Sequence, residues 1–263
     1  MTVCVVHLSD IHFGGENAAA AEAAIDAVAR LAPNAVVVTG DLTLNGLPAE
    51  FESARRWLSR LGGPQVVTPG NHDTPYWNLP LRALTPFGRY RRFIGEPERA
   101  ALDGPGVAVR ALNSARGFQM RPNWSKGSID LSQADRAASE LAGCAGCLKV
   151  FACHHPLIDL PGMPVTGGVH RGLPAAERLI GAGVDMILTG HTHVPFALQV
   201  NAGSGASYAI GAGTLSQRTR GAPPSFMAIE AGRSRLQVSA MTWTGRDFET
   251  GETWELPRPA GGR

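Results

Sequence analysis

The chain has 263 residues, 44% of them hydrophobic and 17% charged, with 24 Lys and Arg against 22 Asp and Glu. That length suits one large α/β domain or two small ones, and the high apolar content with a net charge of +2 excludes a disordered chain. No apolar run approaches the ~20 residues that span a bilayer as a helix, and the near-neutral balance gives no bulk signal for nucleic-acid binding.

The N-terminus has no basic stretch ahead of its apolar residues and no small-residue cleavage site, so a cytoplasmic protein is expected. Val3–Leu8 is β-branched and closes on Ser9-Asp10, which predicts a strand. The Ala-rich stretch Glu16–Leu31 predicts a helix stopped near Pro33, and Ala35–Thr39 a buried strand closed by Gly40-Asp41. Pro48–Leu61 predicts a second helix and Gln65–Thr68 a third strand, followed by Gly70-Asn71-His72-Asp73. The alternation resumes with Val107–Leu112 (strand), Ser132–Ala142 (helix), Leu148–Cys153 (strand), Pro174–Ala182 (helix) and Val184–Thr189 (strand). Strands alternating with helices imply βαβ units and mostly parallel, buried pairing. Beyond His193 the texture changes: Phe196–Asn201, Ala206–Ile210, Ser225–Ile229 and Arg235–Thr242 predict short strands in an antiparallel meander.

Residues 1–256 read as a single domain, and the aperiodic tail 257–263 is expected to fray. The segment at about 74–100 fits the alternation least. Its aromatics, its arginines, Pro80 and Pro86 predict an insertion of short helical turns beside the strand ends. It serves as a packed cap, as a lid, or, through 76–93, as a surface for peripheral membrane contact. Cys144 and Cys147 have CxxC spacing but no second pair to complete a zinc site, so they read as a loop between helix and strand. Nothing fixes the oligomeric state, and a homodimer stays open.

Metal-competent residues follow strand after strand: Asp10 and His12, Asp41, Asn71 to Asp73, His154-His155-Pro156, and His191 with His193. In α/β sheets the carboxyl ends of parallel strands form the ligand-binding edge, so five loops distant in sequence would meet there. Six of the eight histidines lie in these loops. Singly, Asp10, Asp41 or Asn71 is explained as a helix N-cap; five such loops together are not. His7, inside an apolar strand, reads as a hydrogen-bonded core residue, and His170 as a loop residue.

These motifs, in this order, resemble the signature of the calcineurin-like metallophosphoesterases over roughly residues 3–215. The length and the His-His-Pro element resemble class III cyclic nucleotide phosphodiesterases and glycerophosphodiesterases. The resemblance implies an α/β fold, a two-sheet β-sandwich flanked by helices in four αββα layers, around a dimetal centre. Asp10, His12, Asp41 and His193 would hold one metal; Asp41, Asn71, His154 and His191 the other, with Asp41 bridging. His72 would face the substrate phosphate without binding metal, and His155 would stand behind the ligands. From the residues themselves, Asp73 reads as orienting the neighbouring loops, and Arg116, after Asn113-Ser114, as a solvated loop residue with contact to a substrate phosphate as the alternative. Such donors suit Mn, Fe or Zn better than Ca or Mg. The implied reaction is hydrolysis of a small phosphodiester, cyclic nucleotides included, by hydroxide bridging the two metals. Alternatives are a phospholipid or nucleotide-sugar phosphoesterase and, less readily, a nuclease. A non-enzymatic scaffold is disfavoured, since every ligand position is filled.

Overall fold

The computed structural model describes residues 2–120, 123–159, 162 and 168–259. The first half follows the predicted order: β1 (Val3–Leu8), α1 (Ala18–Leu31), β2 (Ala35–Val38), α2 (Pro48–Leu58) and β3 (Gln65–Val67). Asn17 caps α1 by accepting from Ala20 N (3.1 Å), and Glu50 does the same for α2 from Leu47 N (3.0 Å). Two short helices follow, α3 (Leu79–Leu84) and α4 (Gly88–Phe93). Then come β4 (Arg99–Gly104), β5 (Val107–Leu112), α5 (Leu131–Ala142), β6 (Leu148–Ala152), α6 (Gly172–Gly181) and β7 (Met186–Thr189). The C-terminal part is β8 (Phe196–Ala202), β9 (Gly205–Gly211), β10 (Ser225–Ala231), β11 (Arg235–Trp243) and β12 (Phe248–Pro257).

The strands form two six-stranded mixed sheets, ordered β12-β11-β10-β1-β2-β3 and β4-β5-β6-β7-β9-β8. The pleat of β1 explains the layering. Val3 and Val5 enter the core between the sheets with Val109, Val150 and Leu188. Val6 and Leu8, on the opposite face, pack with Ala24, Val28, Phe51 and Trp57 of α1 and α2. The second sheet is covered in the same way by Ala134, Leu141, Ala175 and Leu179 of α5 and α6. The result is helices, sheet, sheet, helices, as the resemblance implied.

Two expectations are corrected. The C-terminal strands are not one meander: β8 and β9 form a hairpin whose β9 joins β7 in parallel, whereas β10, β11 and β12 extend the first sheet through β1. The insertion at about 74–100 holds the short helices α3 and α4, and only its last two residues enter β4, which pairs antiparallel with β5. The tail reading fails at its start, because Pro257 ends β12 and Arg258 pairs with Asp185 at 3.3 Å; residues 260–263 lie outside the described ones. Cys144 and Cys147 are free thiols between α5 and β6.

His7 is fully buried on β1, its Nε2 bonded to Thr39 Oγ1 at 2.9 Å. Burial pushes its pKa from 6.5 down to about 3. Between those values the unfolded chain binds a proton that the native state refuses. Stability is therefore full above about pH 6.5 and falls as pH drops, by at most about 1.4 kcal/mol per unit from this residue. Urea unfolding of His7→Gln from pH 7.5 to 5 should show a shallower loss than the parent; parallel curves would refute this assignment.

Candidate dimetal centre

The loops after β1, β2, β3, β6 and β7 meet at one edge of the sandwich. Their backbone is unusual: Asp10, His12, Asp41, His191 and His193 all adopt positive φ, between 49° and 67°. Five of the eight non-glycine residues with positive φ among the described residues are thus candidate ligands. Such strain persists where surrounding structure over-determines it. The loops also approach too closely for a side chain at Gly40, Gly70 and Gly190. A Cβ on Gly70 would stand 2.2 Å from Asp41 Oδ1, and one on Gly190 would collide with Ser9 and Asp10.

Each carboxylate spends one oxygen on the scaffold and keeps one for the centre. Asp41 Oδ1 accepts from His72 N (2.8 Å), which leaves Oδ2 between His154 Nε2 (3.3 Å) and His12 Nε2 (3.7 Å). Asp10 Oδ2 accepts from His191 N (2.9 Å); its Oδ1 faces His193 Nε2 (3.0 Å) and His12 Nε2 (3.7 Å). The imidazoles are oriented by backbone carbonyls. His154 donates through Nδ1 to Thr39 O and His193 to Arg218 O, both at 2.6 Å. That places the lone pair on Nε2, toward the centre.

Asp10 Oδ1, Asn71 Oδ1 and His154 Nε2 are buried without hydrogen-bond partners. His12 Nε2 and His193 Nε2 sit 3.3 Å apart. Crowded buried acceptors of this kind fit a metal, which would satisfy them together. The potential agrees. Burial alone would raise the Asp41 carboxyl, but His154, His72 and His12 hold it well below the usual range. Burial likewise opposes the His154 cation, yet Asp41 lifts that imidazole to about 9. The cluster attracts positive charge. Four groups have ligand atoms within 4.8 Å of one another, among them Asp10–His12–His193, Asp10–Asp41–His154 and His154–His155–His191.

The model for calcineurin-like phosphoesterase matches residues 5–195. The chain belongs to that family. As a calcineurin-like phosphoesterase it is a metal-dependent phosphoric ester hydrolase. It is 38% identical over 209 residues to the glycerophosphodiester phosphodiesterase GpdQ of Enterobacter lignolyticus, covering 72% of this chain and 70% of that one. It is 27% identical over 208 residues to a probable cyclic nucleotide phosphodiesterase of Synechococcus sp., covering 74% and 75%. Purple acid phosphatase PPD1 of yellow lupin has the same fold, with a TM-score of 0.70 at 13% identity over 98% of this chain and 54% of that one.

Within this phosphoesterase, the residues named from sequence fall in distinct places. Asp10, His12, Asp41, His154, His191 and His193 gather as described. Asn71 is buried beside His72, which lines the adjoining cleft. His155 has both ring nitrogens engaged, Nδ1 by Ser114 Oγ and Nε2 by Ser125 O, each at 2.8 Å. Asp73 accepts from Thr43 N and Gly70 N, both at 2.9 Å, and so ties the second motif to the third. Burial, then the Asp41 charge, raises its carboxyl to about 6. Arg116 is half-buried, its guanidinium donating to Asn113 O and Ala115 O. His170 is exposed and paired to Ser128 by an isolated bridge.

The cleft, about 660 Å³, is lined by Asn71, His72, Tyr76, Arg82, Trp124 and Arg218 among others. Arg82 and Trp124 escaped sequence reasoning. Neither belongs to a motif, and only folding lays the Arg82 guanidinium over the Trp124 ring at 5.7 Å.

Proposed function

We propose that this phosphoesterase hydrolyses a small phosphodiester at a two-metal centre, with glycerophosphodiesters and cyclic nucleotides as the substrate classes to test first. The observation that carries the reading is the placement of Asp41 Oδ2 between two imidazoles. The similarity to two proteins named as phosphodiesterases favours diesters. Asp10, His12, Asp41 and His193 would hold one ion; Asp41, Asn71, His154 and His191 the other. Mn, Fe or Zn fits this donor set. When bound, such ions supply Lewis-acid charge and acidify water at neutral pH.

The chain's own residues do the rest. His72 has Nδ1 held on Leu44 O at 2.6 Å, so proton exchange is confined to Nε2. From there it donates a proton to the leaving alkoxide or stabilises charge on the phosphoryl oxygens. Arg218 adds positive charge to the cleft for an anionic substrate. Asp73 holds the loops that place Asp41 and His72.

The test is turnover of bis(p-nitrophenyl) phosphate beside p-nitrophenyl phosphate, with Mn²⁺ and after chelation. Faster hydrolysis of the diester, lost on chelation and restored by Mn²⁺, is expected. A preference for the monoester would overturn the reading.

A further inference from the structure

The cleft is framed by three segments, 74–95, the described residues of 114–129 (114–120 and 123–129) and 214–222, which contribute Tyr76, Trp124 and Arg218 to its lining. Their described residues hold eight arginines and lysines and no aspartate or glutamate, in a chain whose totals are 24 and 22; Arg82 among them is buried and Arg91 pairs with Glu96. The remainder of the chain is net acidic. Two of these segments pack side by side: Gly117 lies against Arg82 O and Pro86, and Arg82 Nε donates to Gly117 O at 3.1 Å. The same two segments carry six of the nine exposed large apolar side chains among the described residues. These are Tyr76, Trp77, Leu79, Leu84, Phe118 and Met120; Trp77, Leu84 and Met120 are 76%, 82% and 93% exposed. Single exposed apolar residues are ordinary, but a cluster at one end of a molecule marks an interaction surface.

We propose that this rim docks on an anionic lipid bilayer, with the cleft facing the membrane. Charge complementarity selects the partner. A basic rim is drawn to acidic headgroups, Trp and Tyr settle at the headgroup level, and aliphatic side chains enter the acyl boundary. Nucleic acid would reward the arginines and aromatic rings but offers nothing to Leu84 or Met120. A second copy of this chain would bring another basic rim against the first. The docking surface is independent of which diester is cleaved, and it delivers the site to phosphodiesters carried by lipid headgroups.

The Mn²⁺-loaded enzyme should co-sediment with vesicles of phosphatidylcholine and phosphatidylglycerol (3:1) and not with phosphatidylcholine alone. Binding should fall at least tenfold at 0.5 M NaCl, because exposed charges are screened there. Arg92→Gln should weaken it about fivefold. The double variant Leu84→Ser/Met120→Ser should lose at least tenfold in vesicle binding and keep the parent rate on soluble bis(p-nitrophenyl) phosphate. Absence of binding to the anionic vesicles, or equal binding by the double variant, overturns the proposal. So does a dimer in sedimentation velocity that the double variant abolishes without any vesicle binding, or tighter binding to a single-stranded oligonucleotide than to vesicles. Turnover of the soluble diester is measured separately, so failure of docking leaves the diesterase reading standing.

Discussion

Asp41→Asn is expected to lower diester turnover on the order of 10³-fold or more, with loss of bound metal from both halves of the centre. The substitution is nearly isosteric, and Asn Oδ1 can still accept from His72 N as Asp41 Oδ1 does at 2.8 Å. What disappears is the anionic oxygen between His12 and His154. Among the described residues it is the one carboxylate oxygen within 4 Å of both imidazoles, and its charge would balance cations that His154, His191 and Asn71 cannot balance. The variant should fold, since the loop contacts persist, which circular dichroism would verify. Metal content after dialysis gives the second readout. A variant that retains two equivalents of metal and turns over within tenfold of the parent would remove Asp41 from its bridging role. If, as proposed, one ion is held by Asn71, His154 and His191 with only Asp41 as carboxylate, titration of the parent with chelator should empty one equivalent of metal before the other.

His72→Gln is expected to lower turnover about 10²-fold while leaving metal content unchanged. The physical basis is the division of labour on its ring, with Nδ1 committed to Leu44 O and Nε2 left for substrate. If Nε2 delivers a proton to the departing alkoxide, the deficit should grow as the leaving group worsens, being larger for an alkyl diester than for bis(p-nitrophenyl) phosphate. A deficit of equal size on both would assign His72 to charge stabilisation at the phosphoryl oxygens. Loss of metal from the variant would make it a ligand instead, a role its proximity to His12 and Asp41 makes worth testing.

The legible part of this protein lay in local pattern. Valine-rich runs, Ala-rich amphipathic stretches and their Gly, Pro and Asx boundaries located β1, α1, β2, α2 and β3 to within a few residues, because those signals act over one or two turns of chain. Beyond β7 the pattern still marked strands but said nothing of their partners. β9 lies beside β7 and β10 beside β1 through registers spanning long stretches of chain. Pairing of that kind is decided by which apolar face closes the space between the sheets. β4 and β12 were missed for a related reason. Both are edge strands with alternating or largely exposed burial, so their composition resembles loop.

The same division runs through the centre. The order of O and N donors after successive strands was a property of the sequence, and it sufficed to indicate convergence, since parallel strands deliver their carboxyl ends to one edge. Tertiary structure alone decided which atoms face inward. Ser114 and Ser125, far upstream of the histidine pair, occupy both nitrogens of His155 and leave His154 Nε2 to meet Asp41. Asn113 O and Ala115 O hold Arg116 in its own loop, while a helical insertion with no motif brings Arg82 to the cleft. Side-chain direction depends on hydrogen-bond partners contributed by other loops, and no local pattern encodes it. Chemistry by residue type was therefore written in the chain, and chemistry by individual atom was set by the fold.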